Sequence, residues 1–233
     1  MNTLGIIGGM SPESTATYYT QINRFINQQQ GGNSSAPLIV HSVEFQQIVN
    51  CQKNGDWEQA GEILAQSARM LQQAGAQAIL LATNTMHKVA APIEQAIDVP
   101  FLHILDSVAA AIQAWQCKKV GLLGTRFTMQ DDFYRAGLAA RGVSAIVPDE
   151  TAQAEIHRII FEELCVGKFT ETSKQFYLQT MNQLAEQGAQ GMILGCTEIG
   201  LLVQQADTPI PLFDTTEIHV QMAVDFVSGS LKY

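Results

Sequence analysis

Basic residues are scarce in this chain of 233 residues. It carries 13 Lys and Arg against 22 Asp and Glu, a formal net charge of −9 at pH 7, and no basic run offsets that balance. The deficit argues against a nucleic-acid partner and against binding to an anionic membrane surface. It also provides no long-range attraction for an acidic ligand, which would have to be held by local hydrogen-bond donors.

Long apolar stretches and metal motifs are missing as well. No segment approaches bilayer length, and the first apolar strand begins at Leu4 without a charged leader before it, so we expect a cytoplasmic protein. The four cysteines, Cys51, Cys117, Cys165 and Cys196, form no CxxC pair and no zinc spacing. Free thiols in a reducing compartment are the simplest interpretation, and we expect no metal and no cofactor.

The chain does have enough apolar sequence for a large core, with 46% hydrophobic and 15% charged residues. Its most informative stretch is Gly188–Ile199, GAQGMILGCTEI. Met192–Leu194 has the pattern of a buried parallel strand, and Gly195 permits a tight turn that presents Cys196 at the carboxyl end, where α/β sheets bind ligands. A buried thiol often only packs, so this stretch alone does not separate packing from chemistry.

The same stretch occurs twice. Gly75–Thr85, GAQAILLATNT, aligns without a gap on Gly188–Glu198. The alignment pairs Thr83 with Cys196, Asn84 with Thr197, and Thr85 with Glu198. Two further pairs of segments match in the same order, Leu4–Ser11 with Val120–Phe127 and Val99–Asp106 with Ile210–Thr216.

This duplication predicts an α/β protein of two pseudo-symmetric domains with parallel sheets, whose carboxyl ends face one shared cleft. We place the first domain at residues 1–105 plus 214–233 and the second at 106–213. A capping box from Asp214 to Glu217 should open the last helix, which returns to pack with the first domain. Facing turns at positions 83 and 196 suit a reaction that needs one group on each face of a carbon atom.

Two polar segments of the sequence each allow two interpretations. Met10 and Ser11 precede a helix that begins at Pro12, so their turn is either an anion site or a turn needed only for packing. Its sequence, GGMSPEST, lacks the dinucleotide and P-loop patterns, which argues against a nucleotide. Glu44–Asp56 has no clean period and is either a segment over the site, with Gln52 and Lys53 as ligand contacts, or a solvated loop.

Single residues later in the chain are open in the same way. We interpret His87 as a titrating group or, with preference, as a structural hydrogen-bond partner. Arg126 either clamps a carboxylate or, with preference, forms a surface ion pair. Val99–Ile104 is predicted as a strand, followed by a helix that Asp106 caps.

Taken together, the motifs resemble the aspartate/glutamate racemase family, which works without pyridoxal phosphate. The resemblance covers essentially the whole chain and is closest to the enterobacterial branch acting on L-aspartate and L-glutamate. It rests on GGMSxEST at Gly8–Thr15, TNTMHK at Thr83–Lys88, LLGTRxTM at Leu122–Met129, FEELCxG at Phe161–Gly167 and GCTEIGLL at Gly195–Leu202.

This resemblance implies two flavodoxin-like domains, a small amino acid as the substrate, no cofactor and a homodimer. In the family two cysteines act as the bases, and here they correspond to Cys196 and to Thr83, a threonine that the enterobacterial branch shares. An unperturbed thiol, with a pKa of ~8.5, supplies some thiolate at neutral pH, whereas a hydroxyl does not. Thr83 is therefore expected to donate or relay a proton but to be a poor base.

The resemblance also implies the substrate contacts. Amides and hydroxyls at several turns would stabilise the charge that develops on the substrate as its α-proton leaves. The expected contacts are Met10, Ser11, Gln52, Asn84, Thr85, Thr125, Lys168, Thr197 and Glu198.

Two other functions compete with racemisation. One is a single-cysteine decarboxylase or isomerase of the same superfold, similar to arylmalonate decarboxylase, although that family lacks TNTMHK and GCTEI. The other is a non-catalytic two-lobed ligand-binding protein, against which Cys196 and the missing export signal both count. The sequence does not decide the length of the substrate's side chain.

Overall fold

Two four-stranded parallel sheets form the framework of the protein, in a computed structural model that describes residues 1–231. The chain divides into two compact units, one made of Met1–Ile104 together with the chain from His219 onward, the other of Leu105–Ile218. The domain limits assigned from the sequence stay a prediction, and their last two residues, 232 and 233, lie outside the described part.

The first unit contains the sheet of strands β1 to β4 in the order β2-β1-β3-β4. The strands are β1 (Leu4–Gly8), β2 (Leu38–Ser42), β3 (Ala78–Leu81) and β4 (Phe101–Leu102). The helices are α1 (Pro12–Gln30), α2 (Phe45–Asn54), α3 (Trp57–Gln73) and α4 (Ala90–Gln95). All pairs are parallel, and Leu4 lies opposite Leu38 on one side and Ala78 on the other.

The second unit repeats this order as β6-β5-β7-β8. Its strands are β5 (Lys119–Gly124), β6 (Ser144–Ile146), β7 (Met192–Gly195) and β8 (Leu212–Asp214). The helices that follow α4 along the chain are α5 (Ile104–Ala114), α6 (Arg126–Gln130), α7 (Asp132–Ala140), α8 (Glu150–Glu162), α9 (Glu171–Glu186), α10 (Ile199–Leu202) and α11 (Thr215–Ser228). The shared order, typical of flavodoxin-like sheets, confirms the predicted α/β class with two parallel sheets.

Both faces of the first sheet are buried, as a parallel sheet requires. One core cluster contains Ile22 of α1 and Val220 and Val224 of α11, and another contains Leu64 of α3 and Ile93 of α4. The last helix thus packs on the first sheet as predicted. Its start is capped by the Asp214 carboxylate, which accepts hydrogen bonds from two backbone amides of the first turn.

Most of the region 44–56 is a helix, α2 at Phe45–Asn54, and not a loop. Glu44 caps α2 because its carboxylate accepts hydrogen bonds from two first-turn amides, and Gly55, at φ 71°, ends it in the left-handed conformation. Only Ile48 and Cys51 of α2 are buried, so the apolar period is too weak to read from the sequence.

The segment 99–106 also departs from the prediction. Only Phe101–Leu102 is a strand, and α5 already begins at Ile104. Asp106 therefore lies inside the first turn of α5, where its carboxylate pairs with Arg141 at 2.6 Å. Within residues 1–231 no helix combines the length and the apolar character needed to cross a bilayer.

Candidate active site

The turn after β7 carries the predicted thiol. Met192, Ile193 and Leu194 are buried in β7, and Gly195 lies opposite Gly124 of β5. A Cβ at Gly195 would lie only 3.0 Å from the Leu123 carbonyl oxygen, so the close approach of the two strands favours glycine. The next three side chains are half-buried: Cys196, Thr197 and Glu198. All four cysteines are free thiols, as predicted.

Glu198 binds both of its neighbours through one oxygen. The Cys196 thiol donates a hydrogen bond to Glu198 Oε2 at 2.8 Å, and the Thr197 hydroxyl donates to the same oxygen at 2.7 Å. Burial raises the pKa of Cys196 well above its ordinary value, and the charge and hydrogen bond of Glu198 raise it further. The thiol therefore holds its proton more tightly than an ordinary cysteine does, and it lies in hydrogen-bond contact with a carboxylate.

Thr125 lies at the neighbouring strand end. It follows Gly124, the partner of Gly195, and its hydroxyl caps α6 by accepting from the Thr128 amide. The structure therefore brings Thr125, Cys196, Thr197 and Glu198 to one edge of the second sheet, and we name these four residues the thiol half-site.

Lys168 lies in the loop between α8 and α9, where its side chain is exposed. Its amide donates to the Glu163 carbonyl at 2.9 Å. Within the described part of the chain its amine forms no ion pair, and no hydrogen bond joins it to the thiol half-site. The Glu163 carboxylate, by contrast, is buried and accepts hydrogen bonds from Ser173 at 2.5 Å and from Arg158 at 2.9 Å. These hydrogen bonds of Glu163 were not predicted from the sequence, although Glu163 lies in the FEELCxG motif.

The first unit presents the equivalent turn after β3. Thr83 and Thr85 are half-buried and Asn84 is buried. His87 Nδ1 donates to the Thr83 carbonyl at 2.7 Å, while its Nε2 accepts from the Ile104 amide at 3.2 Å. Both ring nitrogens are thus engaged, which confirms the structural interpretation of His87.

The turn after β1 lies at the adjacent strand end. Gly9 has a φ of 95°, and a Cβ there would overlap the Val43 carbonyl, so the position requires glycine. Met10 is buried, and the half-buried Ser11 caps α1 by accepting from the Ser14 amide at 3.2 Å. We name Met10, Ser11, Thr83, Asn84 and Thr85 the hydroxyl half-site.

Two further sequence candidates have defined surroundings. Gln52, on α2, is half-buried, and its amide lies 3.1 Å from the sulfur of Met86, which directly follows Thr85. The Arg126 side chain is exposed and has no ion pair among residues 1–231, so the preferred surface pair is not found. The described residues also contain no group of three His, Cys, Asp or Glu side chains arranged for a metal ion.

Comparisons with known proteins agree on one family. Residues 7–223 match the Asp/Glu/hydantoin racemase family model. The broad specificity amino-acid racemase of Bacillus subtilis is 25% identical over 233 residues, which cover 99% of each chain.

Solved structures extend the match to the whole fold. A Yersinia pestis protein assigned as an Asp/Glu racemase is 48% identical with a TM-score of 0.94, and the alignment covers 98% of this chain and 100% of that one. An aspartate racemase homologue from Pyrococcus horikoshii is 36% identical with a TM-score of 0.87, over 98% of this chain and 100% of that one. Both half-sites lie on a fold that this chain shares with those structures, and the chain belongs to the Asp/Glu/hydantoin racemase family.

Proposed function

We propose that this protein is a cofactor-independent racemase of acidic amino acids, L-aspartate and L-glutamate, in which Cys196 and Thr83 act on opposite faces of the α-carbon. The observation that carries the proposal is the half-buried Cys196 thiol, hydrogen-bonded to a carboxylate at the carboxyl end of β7, in a repeat whose other copy ends in Thr83. The shared cleft predicted from the duplication is part of this proposal.

The relatives support this substrate class. The two solved structures that are 48% and 36% identical bear the names of an Asp/Glu racemase and an aspartate racemase homologue. The Bacillus relative, at 25% identity, has broad specificity instead. We therefore place aspartate and glutamate first and a wider amino-acid range second.

The proposed reaction begins with proton removal. The Cys196 thiolate takes the α-proton of the L-substrate, and negative charge spreads onto the α-carboxylate. Hydrogen-bond donors must then stabilise that charge, and we assign this role to Ser11, Asn84, Thr85 and Thr125, with the backbone amides of Met10 and Thr197. Lys168 and Gln52 would hold the side-chain carboxylate, and Thr83 would return a proton on the opposite face. We also propose a homodimer, which sedimentation equilibrium would reveal.

Proton exchange in heavy water tests the function directly. Loss of the α-proton NMR signal of L-glutamate and L-aspartate reports proton removal, and chiral chromatography reports inversion. We expect Cys196→Ala to lower L-side exchange by at least ~10²–10⁴-fold, the range typical of a positioned acid–base group. Cys165→Ala, which removes an exposed thiol, and Cys51→Ala and Cys117→Ala, which remove buried ones, should leave most of it. Full exchange in Cys196→Ala would remove the thiol from the mechanism.

A further inference from the structure

Glu198 is a carboxylate with no cation beside it. Within residues 1–231 no Lys, Arg, His or N-terminal amine lies at ion-pair distance from Glu198, and its Oε2 instead accepts the Cys196 thiol at 2.8 Å and the Thr197 hydroxyl at 2.7 Å. A direct contact to the substrate's carboxylates would set like charges against each other. The arrangement therefore fits a partner of the thiol better than a binder of an acidic substrate.

The Cys196 thiol cannot easily lose its proton to solvent. Burial and the Glu198 charge both raise the pKa of Cys196, because a thiolate would add a second negative charge 2.8 Å from the first. Transfer of the proton to Glu198 Oε2 avoids this, since the pair keeps a single negative charge throughout. The hydrogen bond already lies along that transfer path.

We propose that Glu198 is the proton acceptor of Cys196, taking the thiol proton so that the thiolate can remove the α-proton of the L-substrate. The inference rests on the proposed racemase function and replaces substrate binding as the role of Glu198. It also assigns the Thr197 hydroxyl a positioning role, because that hydroxyl holds the accepting oxygen.

The protons balance over one turnover. The thiol proton moves to Glu198 Oε2, and the C–H bond pair stays on the substrate as the α-proton passes to sulfur. Thr83 then delivers its hydroxyl proton to the other face of the carbanion. Glu198 releases its proton to solvent, and the Thr83 oxygen recovers one from solvent.

The repeat supplies an independent argument. Position 83 corresponds to 196 and position 85 to 198, so the first turn has Thr83 in place of the thiol and Thr85 in place of the carboxylate. Neither the base nor its acceptor occurs in the hydroxyl half-site. The His87 imidazole bonds the backbone carbonyl of Thr83 at 2.7 Å.

Other ionisable groups also act on the thiol and must be considered in any pH profile. Cys165, in the segment after α8, also raises the pKa of Cys196, but by less than burial and Glu198 do. Tyr177 of α9 is fully buried, its hydroxyl has no hydrogen-bond partner in the described part of the chain, and the charge of Cys196 adds to burial in raising its pKa.

The test compares proton exchange with thiol alkylation in the full-length protein. Glu198→Gln keeps the shape of the side chain but cannot accept the proton. We expect its kcat for L-side exchange to fall by ~10²–10⁴-fold with little change in KM. Alkylation of Cys196 by iodoacetamide near pH 8, followed by peptide mass spectrometry, should become faster, because the opposing charge is gone.

Two further variants secure the result. Glu198→Asp retains a carboxylate and should recover part of the exchange, and Glu198→Ala removes the carboxylate if Glu198→Gln does not fold. Glu186→Gln removes an exposed carboxylate at the end of α9 and should change neither rate.

Several outcomes would overturn the inference. If Glu198→Gln speeds or preserves both exchange and alkylation, Glu198 only suppresses the thiolate; if KM rises with kcat unchanged, Glu198 is a substrate contact. A wild-type protein that exchanges no α-proton of any amino acid would instead overturn the proposed function itself, and this inference with it.

Discussion

Thr83 and Cys196 occupy equivalent places in the two repeats, but their side chains differ widely in acidity. A thiol can become a thiolate near neutral pH when a neighbouring group accepts its proton, whereas an aliphatic hydroxyl ionises only at much greater cost. Both side chains are half-buried at the end of the third strand in their sheet order. Under the proposed function, the two faces of the α-carbon therefore meet groups of very unequal basicity.

This asymmetry predicts unequal proton exchange. We expect the wild type to exchange the α-proton of L-substrates much faster than that of D-substrates, partly without inversion, because Cys196 can return a deuteron to the face it attacked. The equilibrium constant between free enantiomers stays at one, so kcat/KM for racemisation must be equal in the two directions. A difference in kcat between L- and D-substrates must therefore be matched by a difference in KM.

Thr83→Cys should raise D-side exchange by about tenfold or more, since it adds an ionisable acid–base group. The D-side exchange rate of this variant should still stay below its L-side rate, because Thr85 supplies no carboxylate beside the new thiol. Thr83→Ser, which keeps a hydroxyl, is the matched control. Equal and rapid exchange of both enantiomers by the wild type would mean that Thr83 is a competent base.

At the scale of elements, the loop between α8 and α9 depends on one buried carboxylate. Glu163 accepts hydrogen bonds from Ser173 and Thr170 at the start of α9 and from Arg158 of α8. These bonds lower its pKa, the Ser173 bond most strongly. Between these hydrogen-bonded residues lie the short 3₁₀ turn Leu164–Val166 and the exposed Lys168.

Glu163→Gln should loosen this loop and destabilise the protein by ~1–3 kcal/mol, the cost of disrupting buried hydrogen bonds. If Lys168 holds the substrate's side-chain carboxylate, KM for L-glutamate should rise several-fold while kcat changes less. Hydrogen-exchange mass spectrometry over 164–170 reports the loosening. Glu162→Gln is the matched control, because the Glu162 carboxylate is exposed and lies 3.3 Å from Arg158, farther than the Glu163 carboxylate at 2.9 Å. Unchanged protection of the loop would contradict the anchoring role.

For the molecule as a whole, the main acid-sensitive feature we identify is a cluster of buried imidazoles in the first unit. His87, His103 and His219 are 4%, 8% and 0% exposed, and the His87 ring lies 4.7 Å from that of His103 and 5.8 Å from that of His219. His219 also bonds the Tyr18 hydroxyl of α1 and the Leu102 carbonyl. The cluster thus ties α1 and α11 to the edge of the sheet.

Acid should weaken this cluster. Burial lowers the pKa of His87, and His103 and His219 lower it further. In the unfolded chain a histidine takes up its proton near pH 6.5, so stability is fully present above that pH. It should fall as the pH drops below ~6.5, until the lowered folded-state value is reached.

Thermal unfolding at pH 7.5 and 5.5 tests this dependence. His87→Gln should be less stable than the wild type at pH 7.5 but should lose less stability between the two values. His41→Gln, outside the cluster, should keep the wild-type dependence. An identical loss in wild type and His87→Gln would assign the acid sensitivity to other groups.

The sequence by itself determined the features that depend on local pattern. Buried strands with glycine at their ends, repeated at equivalent places, led to the α/β class, the two parallel sheets and the family, because strands buried on both faces are continuous apolar runs, a pattern that survives divergence between repeats. The helix α2 escaped detection because it buries only Ile48 and Cys51, and caps from Glu44 and Gly55 do more to define it than its apolar residues.

Only the tertiary structure decided which side chains meet. From the sequence alone, Glu198 could equally face solvent or substrate, and the conformation of the turn after β7 decides that its carboxylate accepts a hydrogen bond from the Cys196 thiol. The repeats also diverge where the alignment continues: Gly200 corresponds to His87, and a Cβ at Gly200 would overlap the carboxylate of Asp214, whereas His87 packs against His103. Such pairings depend on strand register and on the packing of distant segments, and neither is encoded in any local stretch of residues.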